Sequence, residues 1–300
     1  MLKFRFGCTD IKGNHMQNET SFSGITILLL LVLTGFDTLA QAGRAPDIQG
    51  YKLVWSDEFD KNGPPDSTKW RYEKGFVRNE ELQWYQEDNA RCEKGLLIIE
   101  ARKESKTNPR YEAGSVDWKK NRPKIEYTSS SINTATKHSW QYGRFIMKGK
   151  IDISSGLWPA WWTLGISGRW PSNGEIDIME YYRKMLLANV AFIGSNGKAE
   201  WYDKKFPIDS LGGAQWASKF HVWRMDWDED AIALYIDDQL LNKVELSKLV
   251  NKDGAGINPF KQPHYMLLNL AMGGMNGGSL EGTKFPNRFE VDYVRVYKKN

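Results

Sequence analysis

Three hundred residues, a formal net charge of +4 and 26% charged residues describe one large or two ordinary domains, and a charge this mild gives no reason to expect a nucleic-acid partner. Two cysteines exclude a disulfide framework. The informative excess is aromatic: thirteen tryptophans invite planar stacking platforms beyond the needs of a core.

The chain opens on a leader. Lys3, Arg5 and Lys12 precede the apolar run Ile25–Leu33, which is too short to span a bilayer and has the length of a signal h-region. Ala40-Gln41-Ala42 then supplies an A-x-A cleavage pattern. Residues 1–42 are expected to be signal peptide and leader, and residues 43–300 one mature domain. The product is secreted or periplasmic, with no stable membrane span after cleavage; an uncleaved anchor is the alternative. Cys8 falls in the leader, so Cys92 stands alone and is expected to be a buried, inert thiol.

From Gly50 onward, short alternating or apolar runs are broken by Gly, Pro, Asn and Asp, with hardly any 3.6-residue period. Strands are predicted at Tyr51–Trp55, Gly95–Ala101, Tyr127–Thr134, Tyr142–Ile151, Pro159–Leu164, Glu175–Tyr181, Leu187–Phe192, Phe220–Trp227, Ala231–Ile236, Tyr265–Ala271 and Phe289–Tyr297. So many strands with so few helical segments make an all-β chain, a β-sandwich of two antiparallel sheets. Asp237-Asp238 reads as a hairpin tip. Glu104 to Lys124 and Asn251 to Pro263 carry turn dipeptides and few apolar residues, and read as surface loops; the first of them could rim a cleft. Trp201 and Tyr202 are placed in a loop.

The stretch that carries chemistry is Gly174-Glu175-Ile176-Asp177-Ile178-Met179-Glu180. Acids alternating with apolar residues are ordinarily the solvated face of a strand. In a regular strand Glu175 and Asp177 share a face, whereas Glu180 points away. A bulge of one residue at Ile178-Met179 would return Glu180 to their side. Three crowded carboxyls cannot all ionise cheaply, so one keeps a proton near neutral pH while another stays charged. Two glutamates beside Trp158-Pro159-Ala160-Trp161-Trp162 in an exported all-β protein suit glycoside hydrolysis. One carboxylate attacks the anomeric carbon and the other protonates the departing oxygen, and a separation of roughly 5–5.5 Å means retention. His221 lies in an alternating strand without a partner in its motif and reads as a satisfied histidine.

These two motifs closely resemble glycoside hydrolase family 16. Val54-Trp55-Ser56-Asp57-Glu58-Phe59-Asp60, Asn79-Glu80-Glu81-Leu82-Gln83-Trp84-Tyr85, Phe220–Trp227 and Val291–Tyr297 are similar in order and spacing, so the resemblance runs from about Tyr51 to Tyr297. It implies a jelly-roll of two curved antiparallel sheets with an open concave cleft, belonging to the bulged, laminarinase-like branch. It also implies Glu175 as nucleophile, Glu180 as acid/base and Asp177 as hydrogen-bond partner of the nucleophile. Catalysis needs no cofactor; a structural calcium ion is implied at Asp292 and the backbone oxygens of Glu58 and Gly95.

Candidate substrate-binding residues are Asn79, Glu81 and Trp84, taken as one alternating face, Trp158 and Trp162 as stacking platforms, and Trp201 on the leaving-group side. Core or edge-strand roles are the competing readings. Two departures from laminarinase-like relatives touch the cleft wall: Met275-Asn276-Gly277-Gly278 where a Trp-Pro is common, and Asn189-Val190-Ala191-Phe192 where a His is common. The expected activity is that of a retaining endo-β-glycanase on β-1,3- or mixed β-1,3-1,4-glucan, monomeric, with a polysaccharide as partner. The alternatives are a β-galactan hydrolase of the agarase or porphyranase type, a transglycosylase, and a non-catalytic lectin on the same sandwich.

Overall fold

The computed structural model describes residues 45–300; the proposed leader lies outside the described residues. Seventeen strands are present among them: β1 (Tyr51–Asp57), β2 (Arg71–Tyr72), β3 (Gln83–Tyr85), β4 (Ala90–Glu93), β5 (Leu96–Thr107), β6 (Lys124–Ser129), β7 (Ser131–Asn133), β8 (Gly143–Lys150), β9 (Leu157–Gly165), β10 (Glu175–Tyr182), β11 (Met185–Ile193), β12 (Ala199–Pro207), β13 (His221–Trp227), β14 (Ala231–Ile236), β15 (Gln239–Glu245), β16 (His264–Met272) and β17 (Asn287–Lys299). They form a sandwich. One sheet runs β15-β14-β13-β8-β17-β5-β6-β3, with β1 paired to β17 and β4 to β5; the other runs β12-β11-β10-β9-β16-β7-β2.

The sheets face each other through alternate residues, as a two-residue side-chain period requires. Phe145, Met147, Trp223, Met225, Val294 and Val296 of the first sheet meet Trp161, Ile176, Val190, Phe192, Met266 and Leu268 of the second in one apolar cluster. A smaller cluster of Ala160, Trp162 and Leu267, flanked by Leu164 and Tyr265, lies on the other face of the seven-stranded sheet. That face is the cleft floor.

Three expectations are corrected. The single strand predicted over Tyr127–Thr134 is two strands in different sheets: β6 pairs with β5 and β3, β7 with β16 and β2. The chain changes sheet at Ser129-Ser130-Ser131, all fully buried, and small side chains let it cross between layers there. The β3–β6 pair is parallel, so the larger sheet is not wholly antiparallel. Trp201 and Tyr202 belong to β12, which pairs with β11 along its whole length, and not to a loop; the lysines and acids of Ala199–Pro207 mask its alternation because its outward side meets solvent.

The excursion after β5 is held by its own polar core. Asn108 Nδ2 donates to the carbonyls of Lys119 and Arg122 (3.2 and 2.8 Å) while its Oδ1 accepts from Arg110 N at 2.9 Å. Arg122 crosses to the Asn79–Tyr85 segment, donating to the carbonyls of Glu81 and Glu80 (2.7 and 2.9 Å) and lying over Phe76 and Trp118. Cys92 is buried, and burial with the nearby Asp57 pushes its thiol up to about 12, so it stays protonated and inert. Asn108→Ala removes three hydrogen bonds from a buried side chain. It is expected to cost about 1–3 kcal/mol in urea unfolding and to open residues 109–122 to limited proteolysis.

Candidate active site

The site is built on one irregularity in β10. Asp177 lies opposite Trp162 of β9 and Asn189 of β11, and Glu180 lies opposite Ala160 and Leu187. Three steps along β10 are thus matched by two on each neighbour, which is a β-bulge. Both intervening side chains, Ile178 and Met179, enter the inter-sheet core. Glu175, Asp177 and Glu180 consequently share the cleft face, in register with Leu164, Trp162 and Ala160 of β9.

Each acid has its own surroundings. Trp170 Nε1 donates to Glu175 Oε2 from the loop before β10, although Trp170 is 53% exposed. Glu180 is gripped at both oxygens by neutral donors: Trp158 Nε1 to Oε1 at 2.8 Å and Asn189 Nδ2 to Oε2 at 3.0 Å. Asp177 sits between them, 3% exposed, and one of its oxygens has no partner.

Burial raises all three carboxyls, because the charged form loses its water. For Asp177 the charges of Glu175 and Glu180 add to this and hold its carboxyl well above the carboxylate range. Glu175 is raised by burial but drawn back by hydrogen bonds from Asp177 and Trp170 and by the Arg78 guanidinium. Glu180 is pushed up to about 7, by burial first, with the Trp158 hydrogen bond opposing and the Glu175 charge reinforcing. The cluster therefore sets an Asp177 held well above the carboxylate range beside a Glu175 whose hydrogen bonds favour its anion and a Glu180 poised near neutral pH to give or take a proton.

The candidate binding residues do not form one surface. Glu81 is 2% exposed and works from beneath: its carboxylate accepts from Gln83 Nε2 (2.6 Å), Tyr85 OH (3.2 Å) and Asn79 Nδ2 (3.3 Å). The network continues to the floor, since Asn269 Nδ2 donates to Tyr85 OH and Trp162 Nε1 donates to Asn269 Oδ1. Trp84 does not join them, which corrects the expectation of one alternating face. Gln83 and Tyr85 have its opposite parity, and Trp84 packs edge-on to Phe76 with Arg110 over its ring.

Trp158 is placed as a hydrogen-bond donor to Glu180, packed edge-on to Tyr182, and not as an open platform. One side of the Trp162 ring is covered by the Arg78 guanidinium, 5.2 Å from its centre. Trp201 is 42% exposed and pairs with Ala191, itself opposite Glu175, so it lies on the cleft face two strands away. Asn79 is exposed at the rim in the left-handed region, followed by Glu80 in the same conformation. Gly274 packs against this turn; a Cβ there would lie 2.5 Å from the Asn79 carbonyl.

Trp170, Asn189 and Arg78 carry contacts that the sequence did not assign them. Trp170 stands five residues before Glu175 in a loop, and Asn189 becomes visible only once β11 is paired with β10. His221 is satisfied on the other sheet by Asp237 Oδ2 (2.6 Å) and the Trp216 carbonyl (2.9 Å).

A family model for glycosyl hydrolases family 16 matches residues 79–295. The chain belongs to that family. It is 35% identical to the beta-glucanase of Rhodothermus marinus over 289 residues, 91% of this chain and 94% of that one. The laminarinase catalytic domain of Thermotoga maritima superposes with a TM-score of 0.69 at 32% identity, covering 84% of this chain and all of that one. A structure from work on endo-acting O-glycanases, which members of the human gut microbiota express to initiate mucin breakdown, superposes at 0.75 with 33% identity, covering 84% and 92%. As a family 16 member the chain is a glycoside hydrolase on a jelly-roll sandwich.

Two outcomes follow from the geometry. Deleting Ile178 removes the extra residue and leaves Glu175, Asp177 and Glu180 in strict alternation on the cleft face, so hydrolysis is expected to persist while the loss of one buried apolar side chain lowers urea stability by about 2–5 kcal/mol. Glu180→Gln is expected to raise the thermal midpoint at pH 8. A carboxyl with a raised folded pKa costs stability progressively as pH rises from its unfolded value through about 7, and at pH 5 the gain should disappear.

Proposed function

We propose that Glu175 and Glu180 carry out a double displacement on β-linked glucan, which makes this an endo-β-glucanase of family 16 with the retaining mechanism of that family. The observation that carries the reading is the bulge that returns Glu180 to the row of Glu175 and Asp177. In the first half-reaction the Glu175 carboxylate attacks the anomeric carbon as the glycosidic bond breaks, and the proton on Glu180 passes to the leaving oxygen. In the second, the Glu180 carboxylate takes a proton from water, whose oxygen displaces Glu175. Asp177, protonated, donates to Glu175 and spares the cluster a third charge. Family 16 chemistry needs no cofactor, and a polysaccharide is the substrate. A lectin would gain nothing from three crowded acids.

β-1,3- and mixed-linked glucan are the proposed substrates, supported by the relatives' glucanase and laminarinase activities. A second reading, an endo-acting hydrolase of mucin O-glycans, is supported by the 0.75 superposition, and a galactan hydrolase by 28% identity to the keratan-sulfate endo-1,4-beta-galactosidase of Sphingobacterium multivorum. Incubation with laminarin, lichenan, agarose, porphyran and mucin glycans separates them: internal cleavage of laminarin or lichenan is expected, with the β-anomer appearing first by proton NMR. Glu175→Ala should abolish cleavage and leave the fold intact, and equal cleavage by that variant would remove the proposed nucleophile. For the wild type, kcat/KM is expected to fall on the alkaline side with an apparent pKa of about 7 as Glu180 loses its proton.

The proposal extends to calcium and to export. On one side of β17, β5 pairs as far as Val291 and β1 pairs from Val294, leaving residues 292 and 293 facing a gap beside Gly95 and Glu58. Two main-chain oxygens and the Asp292 carboxylate suit a hard cation there. The Glu58 carboxylate itself is taken by Arg295 (3.0 and 2.7 Å), and Lys148 lies 2.7 Å from Asp292 and would compete. Among the described residues no cluster of three metal-binding side chains is present, so the main chain would supply most of the site. Calcium is expected to raise the melting midpoint by a few degrees and to do nothing for Asp292→Ala. Lys3, Arg5, Lys12, Ile25–Leu33 and Ala40-Gln41-Ala42 support export with cleavage near Gly43. Among the described residues no helix is long and apolar enough to cross a membrane.

A further inference from the structure

Asn189 is the one side chain within reach of both the acid that titrates and the acid that stays protonated. It lies opposite Asp177 across the β10–β11 pair, is 3% exposed, and donates from Nδ2 to Glu180 Oε2 at 3.0 Å. Two buried atoms around it lack partners: its own Oδ1 and Asp177 Oδ2. The same amide also donates toward the Asp177 carboxyl, and in both acids its N–H groups favour the anion, so Asn189 serves the two as a shared donor.

We propose that Asn189 is a positioning residue that couples the two half-reactions, its side-chain N–H groups shared between the Asp177 and Glu180 carboxyls and drawn to Glu180 when Glu175 is esterified and Glu180 becomes the anion. The inference rests on the assignment of Glu175 as nucleophile and Glu180 as acid/base. Before attack, Glu175 is an anion and the better acceptor, so the Asp177 hydroxyl points to it. When the Glu175–C1 bond forms and the C1–leaving-oxygen bond breaks, the proton of Glu180 leaves with that oxygen. Glu175 is then a neutral ester and a weaker acceptor. With the charge now on Glu180, the Asn189 Nδ2–H bond to it becomes charge-assisted, while the protonated Asp177, a poorer acceptor, gives up its share of the amide. No proton leaves Asp177 or Asn189; only the sharing of the amide changes, and hydrolysis of the ester reverses it.

The groups facing Glu180 are few enough to make this testable. Its own strand presents Glu175, Asp177 and Tyr182, and Lys205 of β12 adds a positive charge. Its hydrogen-bond partner on β9 is Trp158, and its β11 contact is Asn189 itself, neither of which titrates. Across β9 from Glu180, β16 offers the amide of Asn269.

The test uses Asn189→Leu, of similar volume without the amide, and Asn189→Asp, of the same shape without the N–H, with melting curves at pH 5 and 8. Loss of a donor to the charged form raises the Glu180 pKa, so the alkaline limb of kcat/KM on laminarin should move up by about one pH unit. The Asp variant, which adds a negative charge, should move it further. kcat should fall about tenfold to a hundredfold with little change in KM. On an aryl β-glycoside with a good leaving group a burst of phenol should appear, since the second half-reaction is the one impaired. A residue that only fills space would change the melting midpoint and leave the limb, the KM-to-kcat split and the absence of a burst as they are. That result in whichever variant folds, or in both, overturns the proposal. Failure of the parent assignment is seen separately: Glu180→Ala with a wild-type rate and no azide rescue overturns both.

Discussion

A strand with strict two-residue alternation cannot present residues 175, 177 and 180 on one surface. The extra residue in β10 removes that obstacle and spends two apolar side chains, Ile178 and Met179, on the core where regular alternation would allow one. The same event thus anchors the strand and aims the acid. Both neighbours keep regular alternation through this region, so the row is assembled against a rigid frame: Leu164, Trp162 and Ala160 on one side and Ala191, Asn189 and Leu187 on the other. Sites carried on paired strands hold their geometry better than sites on loops.

Three carboxyls brought together out of water would repel, and the surroundings distribute the charge so that they need not. The cation whose charge acts on Glu175 is Arg78, which is also paired with Glu73, and Glu73 in turn accepts from Ser131 Oγ at 2.6 Å. Glu180 receives only neutral donors, and a neutral donor stabilises its anion without forcing it to ionise, as a lysine in contact would. Its value of about 7 is the compromise between burial and those two hydrogen bonds. Asp177, buried between the charges of Glu175 and Glu180, is the natural keeper of the proton. This arrangement costs stability at alkaline pH, the usual exchange at a site whose function needs uncomfortable ionisation states.

The cleft wall depends on residues that never meet a sugar in this picture. Glu81, Gln83, Tyr85 and Asn269 form a buried hydrogen-bond chain from the Asn79 turn to the Trp162 indole. From outside, Arg122 pins the same turn through the carbonyls of Glu80 and Glu81, which connects the long surface excursion to the site. Asn79 and Glu80 both sit in the left-handed region, a conformation that persists where neighbours over-determine it. At the far side of the cleft, Trp201 gains its exposure from the edge position of β12.

Periodicity and composition sufficed for the all-β class, for the sandwich, and for the parity problem in Glu175–Glu180 with its solution by one inserted residue, because those depend on local alternation that a linear chain displays. The Asp237-Asp238 hairpin tip was legible for the same reason, and both residues adopt positive φ. What alternation cannot reveal is which strand lies beside which. The division of Tyr127–Thr134 between two sheets, the partnership of Asn189 with Glu180 and Asp177, the covering of Trp162 by Arg78 and the burial of Glu81 all rest on contacts between residues far apart in the chain. β12 stayed hidden because an edge strand with a solvated face loses its apolar signature. Residue chemistry is written in order along the chain, whereas the environment that decides each group's charge and accessibility is set by neighbours that only folding brings together.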